Sequence, residues 1–238
     1  MLVDQPHHLP DEAAAVQARY ARRDACDWRY HLLNPVAMAA AQERQRALAR
    51  LFNRLGWREP GSRRLVEVGC GNGGNLLELL RLGFAPEHLQ GIELLADRAS
   101  QARRVLPASL SIVAGDATQA EVPAASQDAV YQSTVFSSLL DDAYQQRLAD
   151  AMWRWVRPGG GVLWYDFVYD NPRNADVRAV PLRRVRALFP QGRIQARRVT
   201  LAPPIARAVA RVHPGLYTAF NLLPPLRTHV LAWIEKPE

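Results

Sequence analysis

Residues 66–74 read Val-Glu-Val-Gly-Cys-Gly-Asn-Gly-Gly, with four glycines in the last six positions. An apolar stretch with strand character, 65–68, leads into them, and 75–82 has helical spacing. The glycines therefore fall where a strand turns into a helix. A backbone without Cβ atoms can approach a ligand closely there, and the helix start offers unbonded N–H groups. Such a bend belongs to an α/β sheet of parallel strands.

The rest of the chain follows the same alternation. Strands are predicted at 89–93, 110–113, 129–131, 162–167, 194–201 and 229–234, and helices at 96–105, 141–157 and 182–189. In 141–157, Tyr144, Leu148, Met152 and Trp155 share one face. Arg157-Pro158-Gly159-Gly160-Gly161 reads as a turn into the next strand. Ahead of the sheet, residues 1–12 read as a loose tail, followed by a helical stretch through Tyr20 and Arg23. Asn34-Pro35 suits a helix start, Leu48, Leu51, Phe52 and Leu55 make that helix amphipathic, and Gly56 ends it. Between the last two strands, Ile205, Val209 and Val212, then Leu216, Phe220 and Leu223, recur at helical spacing among five prolines. The expected organisation is a tail and helical extension over 1–60 and one domain over 61–238, with 202–228 as a helical cap insert.

A length of 238 residues fits one such domain at ~150 residues per domain. With 48% hydrophobic and 22% charged residues, the composition is that of a folded chain. No apolar run reaches the ~18 residues of a membrane span, and 1–12 has no apolar signal region. Cys26 and Cys70 cannot build a disulfide framework or a thiolate zinc site, and the histidines show no ligand spacing beyond His7-His8, so no metal is expected. A reduced, cytoplasmic protein is the expectation. The net charge of +7 points toward nucleic acid, but 29 of the 30 basic residues are arginines scattered through the chain. We read them as solvated faces, and nucleic acid is not the expected partner.

On its own the bend has two readings. Gly69, Gly71 and Gly74 fit the dinucleotide fingerprint G-x-G-x-x-G. Glu67, Gly69, Gly71 and Gly73 also fit E/D-x-G-x-G-x-G, and so resemble the first motif of class I S-adenosylmethionine-dependent methyltransferases. Glu67 suits a ligand ammonium and is awkward beside a pyrophosphate. Glu93 ends the second strand, where a carboxylate can accept from both ribose hydroxyls, and Asp116 ends the third, where an acid can hold an adenine amino group. Asp128-Ala129-Val130-Tyr131 and Trp155-Val156-Arg157-Pro158-Gly159-Gly160-Gly161 resemble the family's fourth-strand signature and its turn into strand five.

The resemblance spans 65–167 closely. It implies a Rossmann-like seven-stranded sheet, mostly parallel with the last strand antiparallel, and helices on both faces. It implies S-adenosyl-L-methionine as cofactor, held by Glu67, Gly69, Cys70, Gly71, Gly73, Glu93, Leu94, Asp116, Ala117 and Gln132. The implied reaction is transfer of a methyl group, favoured at oxygen, to a small-molecule or biosynthetic intermediate. Tyr165 and Asp166, after strand five, are the candidates for acceptor positioning and for a base. Tyr20, Arg23, Tyr30, Ser133, Tyr169 and Asn171 are the candidates for substrate contact. The segment after strand four, Gln132-Ser133-Thr134-Val135-Phe136, lacks the N/D-P-P-Y/F tetrapeptide of enzymes that methylate nucleic-acid amino groups. Three alternatives stay open: an RNA or protein methyltransferase, a catalytically silent cofactor-binding protein, and an NAD-dependent oxidoreductase. The oligomeric state, and whether the cap is a lid, a peripheral membrane contact or an interface, also stay open.

Overall fold

The computed structural model describes residues 11–22, 27–172 and 174–238. Its strands are β1 (Leu65–Val68), β2 (Leu89–Glu93), β3 (Ser111–Ala114), β4 (Gln127–Ser133), β5 (Val156–Phe167), β6 (Arg193–Leu201) and β7 (Arg227–Glu235). They form one sheet in the order β3-β2-β1-β4-β5-β7-β6. Pairings from β3 across to β5 are parallel, whereas β7 runs antiparallel to both β5 and β6. The expected Rossmann-like sheet is therefore present. The helices are α1 (Glu12–Ala21), α2 (Pro35–Arg54), α3 (Gly74–Arg81), α4 (Ala96–Val105), α5 (Asp142–Trp155), α6 (Leu182–Leu188), α7 (Pro203–Val212) and α8 (Gly215–Phe220).

Alternation along the strands divides the core between two faces. Val66, Val68, Val130 and Trp164 meet Val16 of α1 and Leu148, Met152 and Trp155 of α5. On the opposite face Leu65, Tyr131, Leu163 and Tyr165 meet Leu48, Leu51 and Phe52 of α2, Leu76 and Leu79 of α3, and Ala99 and Ala102 of α4. Each fully buried Leu or Phe contributes about 1.5–3 kcal/mol. Asn34 caps α2 as its sequence suggests, accepting from the Val36 N–H at 2.9 Å. The chain winds outward from β1 to β3, then returns to place β4 on the other side of β1. That reversal opens a crevice at the carboxyl ends of β1 and β4.

The Arg157–Gly161 segment departs from the expected turn. It lies inside β5, as a bulge in which pairing jumps from Gln127↔Val156 to Ala129↔Gly161. Small residues are required there. A Cβ on Gly160 would stand 2.7 Å from the Asp128 carbonyl, and one on Gly161 would stand 2.6 Å from the Trp233 ring.

Asp128 ties the amino end of the same strands together. Its Oδ1 accepts from Arg63 at 2.8 Å and from Arg157 at 2.7 Å, and its Oδ2 accepts from the Arg64 N–H at 2.9 Å. Burial alone would raise the pKa of this carboxyl. The bonds from the Arg64 N–H and the two guanidiniums outweigh burial and lower it. Asp128→Ala is expected to cost about 1–3 kcal/mol in urea unfolding at pH 7. The guanidiniums keep partial solvent contact, which holds the loss toward the lower end. The contribution is complete above the ordinary carboxylate pKa and disappears as pH falls through the depressed folded value. Wild type and variant should therefore converge in acid.

Candidate functional site

A pocket opens at the carboxyl ends of β1 to β4. Its walls include Gly69, Glu93, Leu94, Asp116, Ala117 and Ser133. Of the residues singled out from the sequence, these six and Tyr20 line it.

Glu93 is buried and braces the glycine bend. Its Oε2 accepts from the Gly71 N–H at 2.7 Å and its Oε1 from the Leu95 N–H at 2.9 Å. Each oxygen keeps a second lone pair for another donor. Asp116 caps the turn after β3. Its Oδ1 accepts from the Thr118 N–H at 2.8 Å and from the Tyr144 hydroxyl at 2.6 Å. The sequence places Tyr144 on one face of α5 with Leu148, Met152 and Trp155, and only the fold brings it to Asp116. Gly69, at φ +66°, crosses so close to the turn after β4 that a Cβ would stand 2.5 Å from Val135 Cγ2. In that turn Thr134 adopts φ +58°, an unusual conformation for a β-branched residue, beside the pocket.

Helix α1 roofs the pocket with Val16 and Tyr20. Its position is fixed by polar ties to the turn leading into α5. Glu12 accepts from Arg19 at 2.6 Å and from the Leu140 N–H at 2.7 Å, while Arg19 also donates to the Ser138 carbonyl at 3.0 Å. Arg98 of α4 lies over the Tyr20 ring at 4.6 Å. Arg23 lies outside the described residues, as does the side chain of Tyr30.

Glu67 follows a different path. Alternation turns it toward the α2 face, where it is fully buried and accepts from Asn75 Nδ2 at 2.6 Å. Its Oε2 has no hydrogen-bond partner. Burial pushes its pKa up to about 8, against the lowering effects of the Asn75 bond and of Arg44. Burial thus favours the neutral form of this carboxyl. It belongs to a polar layer under α2 that the sequence did not reveal. There Arg44 lies over the Tyr165 ring, the Tyr165 hydroxyl bonds Thr200 Oγ1 at 2.8 Å, and Glu43 accepts from the Thr200 N–H at 2.9 Å. Tyr165 stacks on His229, whose burial lowers its pKa to about 4.

Tyr165 and Asp166 are adjacent in an extended strand and so face opposite sides of the sheet. The structure does not bring them to one point. Asp166 is fully buried, accepting from the Ser137 and Phe167 N–H groups at 3.1 and 2.9 Å, and burial raises its pKa to about 7. Gln132 is likewise buried, its Oε1 accepting from the Val135 N–H at 3.1 Å, so it shapes the turn and does not line the pocket. The Cys70 thiol is buried near Gly91, and burial raises its pKa. Gly71 and Gly73 form the bend behind Gly69. Tyr169 and Asn171 are exposed and outside the pocket lining, Tyr169 packing on the Arg198 guanidinium. No residue of 202–228 lines the pocket either. Among the described residues no cluster of three or more His, Cys, Asp or Glu could hold a metal ion.

Residues 65–160 match the model of a methyltransferase domain family. Over 173 residues the chain is 32% identical to trans-aconitate 2-methyltransferase of Afipia carboxidovorans, a match covering 72% of this chain. The chain spans about 60% of the length of that relative. Among solved structures, geranyl diphosphate C-methyltransferase from Streptomyces coelicolor superposes with a TM-score of 0.64 at 16% identity, covering 96% of this chain and 98% of that one. An S-adenosylmethionine-dependent methyltransferase from Mesorhizobium loti superposes with a TM-score of 0.59 at 17% identity, covering 84% of this chain and 100% of that one. The domain match, the motif order and the sheet topology agree, and together they support a class I S-adenosylmethionine-dependent methyltransferase.

Proposed function

We propose that this protein transfers the methyl group of S-adenosylmethionine to an oxygen atom of a small-molecule acceptor. One observation carries the reading. Glu93 and Asp116, at the ends of neighbouring parallel strands, bring two carboxylates to one crevice bordered by Gly69. The residues fit the cofactor. Glu93 has lone pairs for two ribose hydroxyls, Asp116 has an oxygen for the adenine amino group, and Leu94, Ala117 and Leu139 give apolar walls for the ring. Glu67 lies behind the bend and outside the pocket lining, and we assign it the ammonium on the motif and on its unpartnered Oε2.

The cofactor supplies an activated methyl group, whose bond to sulfur breaks as the bond to the acceptor forms. The protein's work is to align the acceptor and keep water out, which the roof of α1 favours. An acceptor oxygen that is already ionised needs no base. That suits a pocket whose lining does not include Asp166, which is buried on its bonds from the Ser137 and Phe167 N–H groups. The relative that acts under the name trans-aconitate 2-methyltransferase supports a small-molecule acceptor.

Calorimetry with S-adenosylhomocysteine and with NAD, followed by incubation with methyl-labelled S-adenosylmethionine and panels of small acids, phenols and RNA, tests the reading. S-adenosylhomocysteine should bind, NAD should not, and label should enter a small molecule. Preference for NAD would overturn the cofactor. Label entering RNA would move the acceptor to the macromolecular alternative, and binding without turnover on any acceptor would leave a silent protein.

The state of Glu67 yields a second test. A cation arriving beside a carboxyl that burial keeps neutral favours its ionised form. Calorimetry at pH 7 in two buffers of different ionisation enthalpy should show a proton released by wild type on binding S-adenosylmethionine, and almost none by Glu67→Gln. Wild-type affinity should accordingly rise with pH up to about 8. Equal proton counts would show that the ammonium is held elsewhere.

A further inference from the structure

We propose that the helical corner formed by α2, α7 and α8 docks on an anionic phospholipid bilayer. The proposal is independent of the methyl-transfer reading, because its test needs no turnover. Among the described residues, the three most exposed large apolar side chains are Val212 at 78%, Leu33 at 74% and Leu222 at 70%. All three belong to this corner, and Trp28, Leu32 and Leu223 there are each more than half exposed. They stand at the ends of the helices and turns that form one packed layer. Val36, Ala39 and Ala40 of α2 pack against Ala206 and Val209 of α7 and Tyr217 of α8, and the 3₁₀ turn Trp28–Tyr30 lies against α2. The leucines project from turns and the valine from a helix end, so the layer's own core does not use them. Large apolar side chains gathered in this way mark a contact surface.

The charge around them selects the partner. The stretch that carries α7 and α8, residues 199–226, contains two arginines, Arg207 and Arg211, and not one Asp or Glu, and residues 28–42 also contain no acid. Arg207 and Arg211 are exposed on α7 beside Val212, and among the described residues neither forms an ion pair. A second copy of the chain would set Arg207 and Arg211 against their own counterparts, which like charges oppose. Nucleic acid would satisfy the arginines but leave the leucines in water. A bilayer of anionic lipid satisfies both: leucine and valine enter the acyl boundary, Trp28 suits the headgroup level, and the guanidiniums meet phosphates.

Sedimentation of the full chain with sucrose-loaded vesicles tests this. One set is phosphatidylcholine alone, and the other contains about a third phosphatidylglycerol, enough to give an anionic surface. Wild type should partition to the anionic vesicles and much less to the neutral ones, with binding weakened by salt. The exposed-turn variant Leu222→Asp/Leu223→Asp and the charge variant Arg207→Glu/Arg211→Glu should each reduce partition at least about tenfold, with unchanged thermal melts. Lack of sedimentation with anionic vesicles at low salt overturns the proposal. So does binding that the leucine variant leaves intact, which is adsorption by charge alone. It is equally overturned if light scattering shows a wild-type dimer that the leucine variant dissolves, or if RNA binding proves to depend on the same two leucines.

Discussion

Glu93→Ala is expected to raise the dissociation constant for S-adenosylhomocysteine at least about 100-fold, or about 2.7 kcal/mol. The reason is that this carboxylate works twice. It is the proposed acceptor for the ribose hydroxyls, and it already holds the Gly71 and Leu95 N–H groups at 2.7 and 2.9 Å. Hydrogen bonds to a charged group contribute about 1.5–3 kcal/mol each. Truncation thus removes the ligand's partner and unbraces the bend that frames it. Glu93→Gln, which keeps one acceptor oxygen, should fall between the two. Calorimetry reads all three. A loss smaller than tenfold in the alanine variant, with its melting temperature preserved, would take Glu93 out of the cofactor site.

Gly69→Ala should be the most damaging single-methyl change in the bend. Two separate costs apply. The φ of +66° is adverse for any residue with a Cβ, by about 1–2 kcal/mol. The added methyl would also stand 2.5 Å from Val135 Cγ2, and overpacking of that kind costs typically 1–3 kcal/mol. Relief requires Val135 to move, and Val135 is part of the pocket wall, so binding should fall together with stability. Gly71→Ala separates the costs. Gly71 has φ +57° but open space around its Cβ position, so it should show the conformational penalty alone. Adding Val135→Ala to Gly69→Ala should return the overpacking part in urea unfolding and leave the rest. If Gly69→Ala and Gly71→Ala prove equally destabilised, the close approach to Val135 is not what selects glycine at 69.

The sheet could be read from the chain because its signals are local. Leu65–Val68, Leu89–Glu93 and Ala96–Val105 have the bounds that periodicity assigns them, and Asn34-Pro35 opens α2. The glycine run at 159–161 misled because a wide bulge and a turn ask for the same residues. Only the packing of Trp233 and the Asp128 carbonyl against those glycines separates the two. In the pocket, Glu93 and Asp116 were legible because strand ends mark them. Tyr144 was not, since a tyrosine on an apolar helix face reads as core until the fold carries its hydroxyl to Asp116, 28 positions away. The polar layer under α2 was hidden for the same reason. Glu43 and Thr200 are 157 residues apart, and neither stands in a motif. Periodicity also gave Tyr165 and Asp166 their strand, but not the consequence that strand neighbours look in opposite directions.

The ties that hold α1 in place bear on how fast such a molecule could turn over. Glu12 and Arg19 grip Leu140 and Ser138, in the stretch that also contributes Ser138 and Leu139 to the pocket wall. A spent donor beneath that helix would leave more readily once those grips let go. The catalytic cycle would then be paced by departure of the used carrier, and loosening the Glu12 anchor should speed the traffic while leaving the bond-making step untouched.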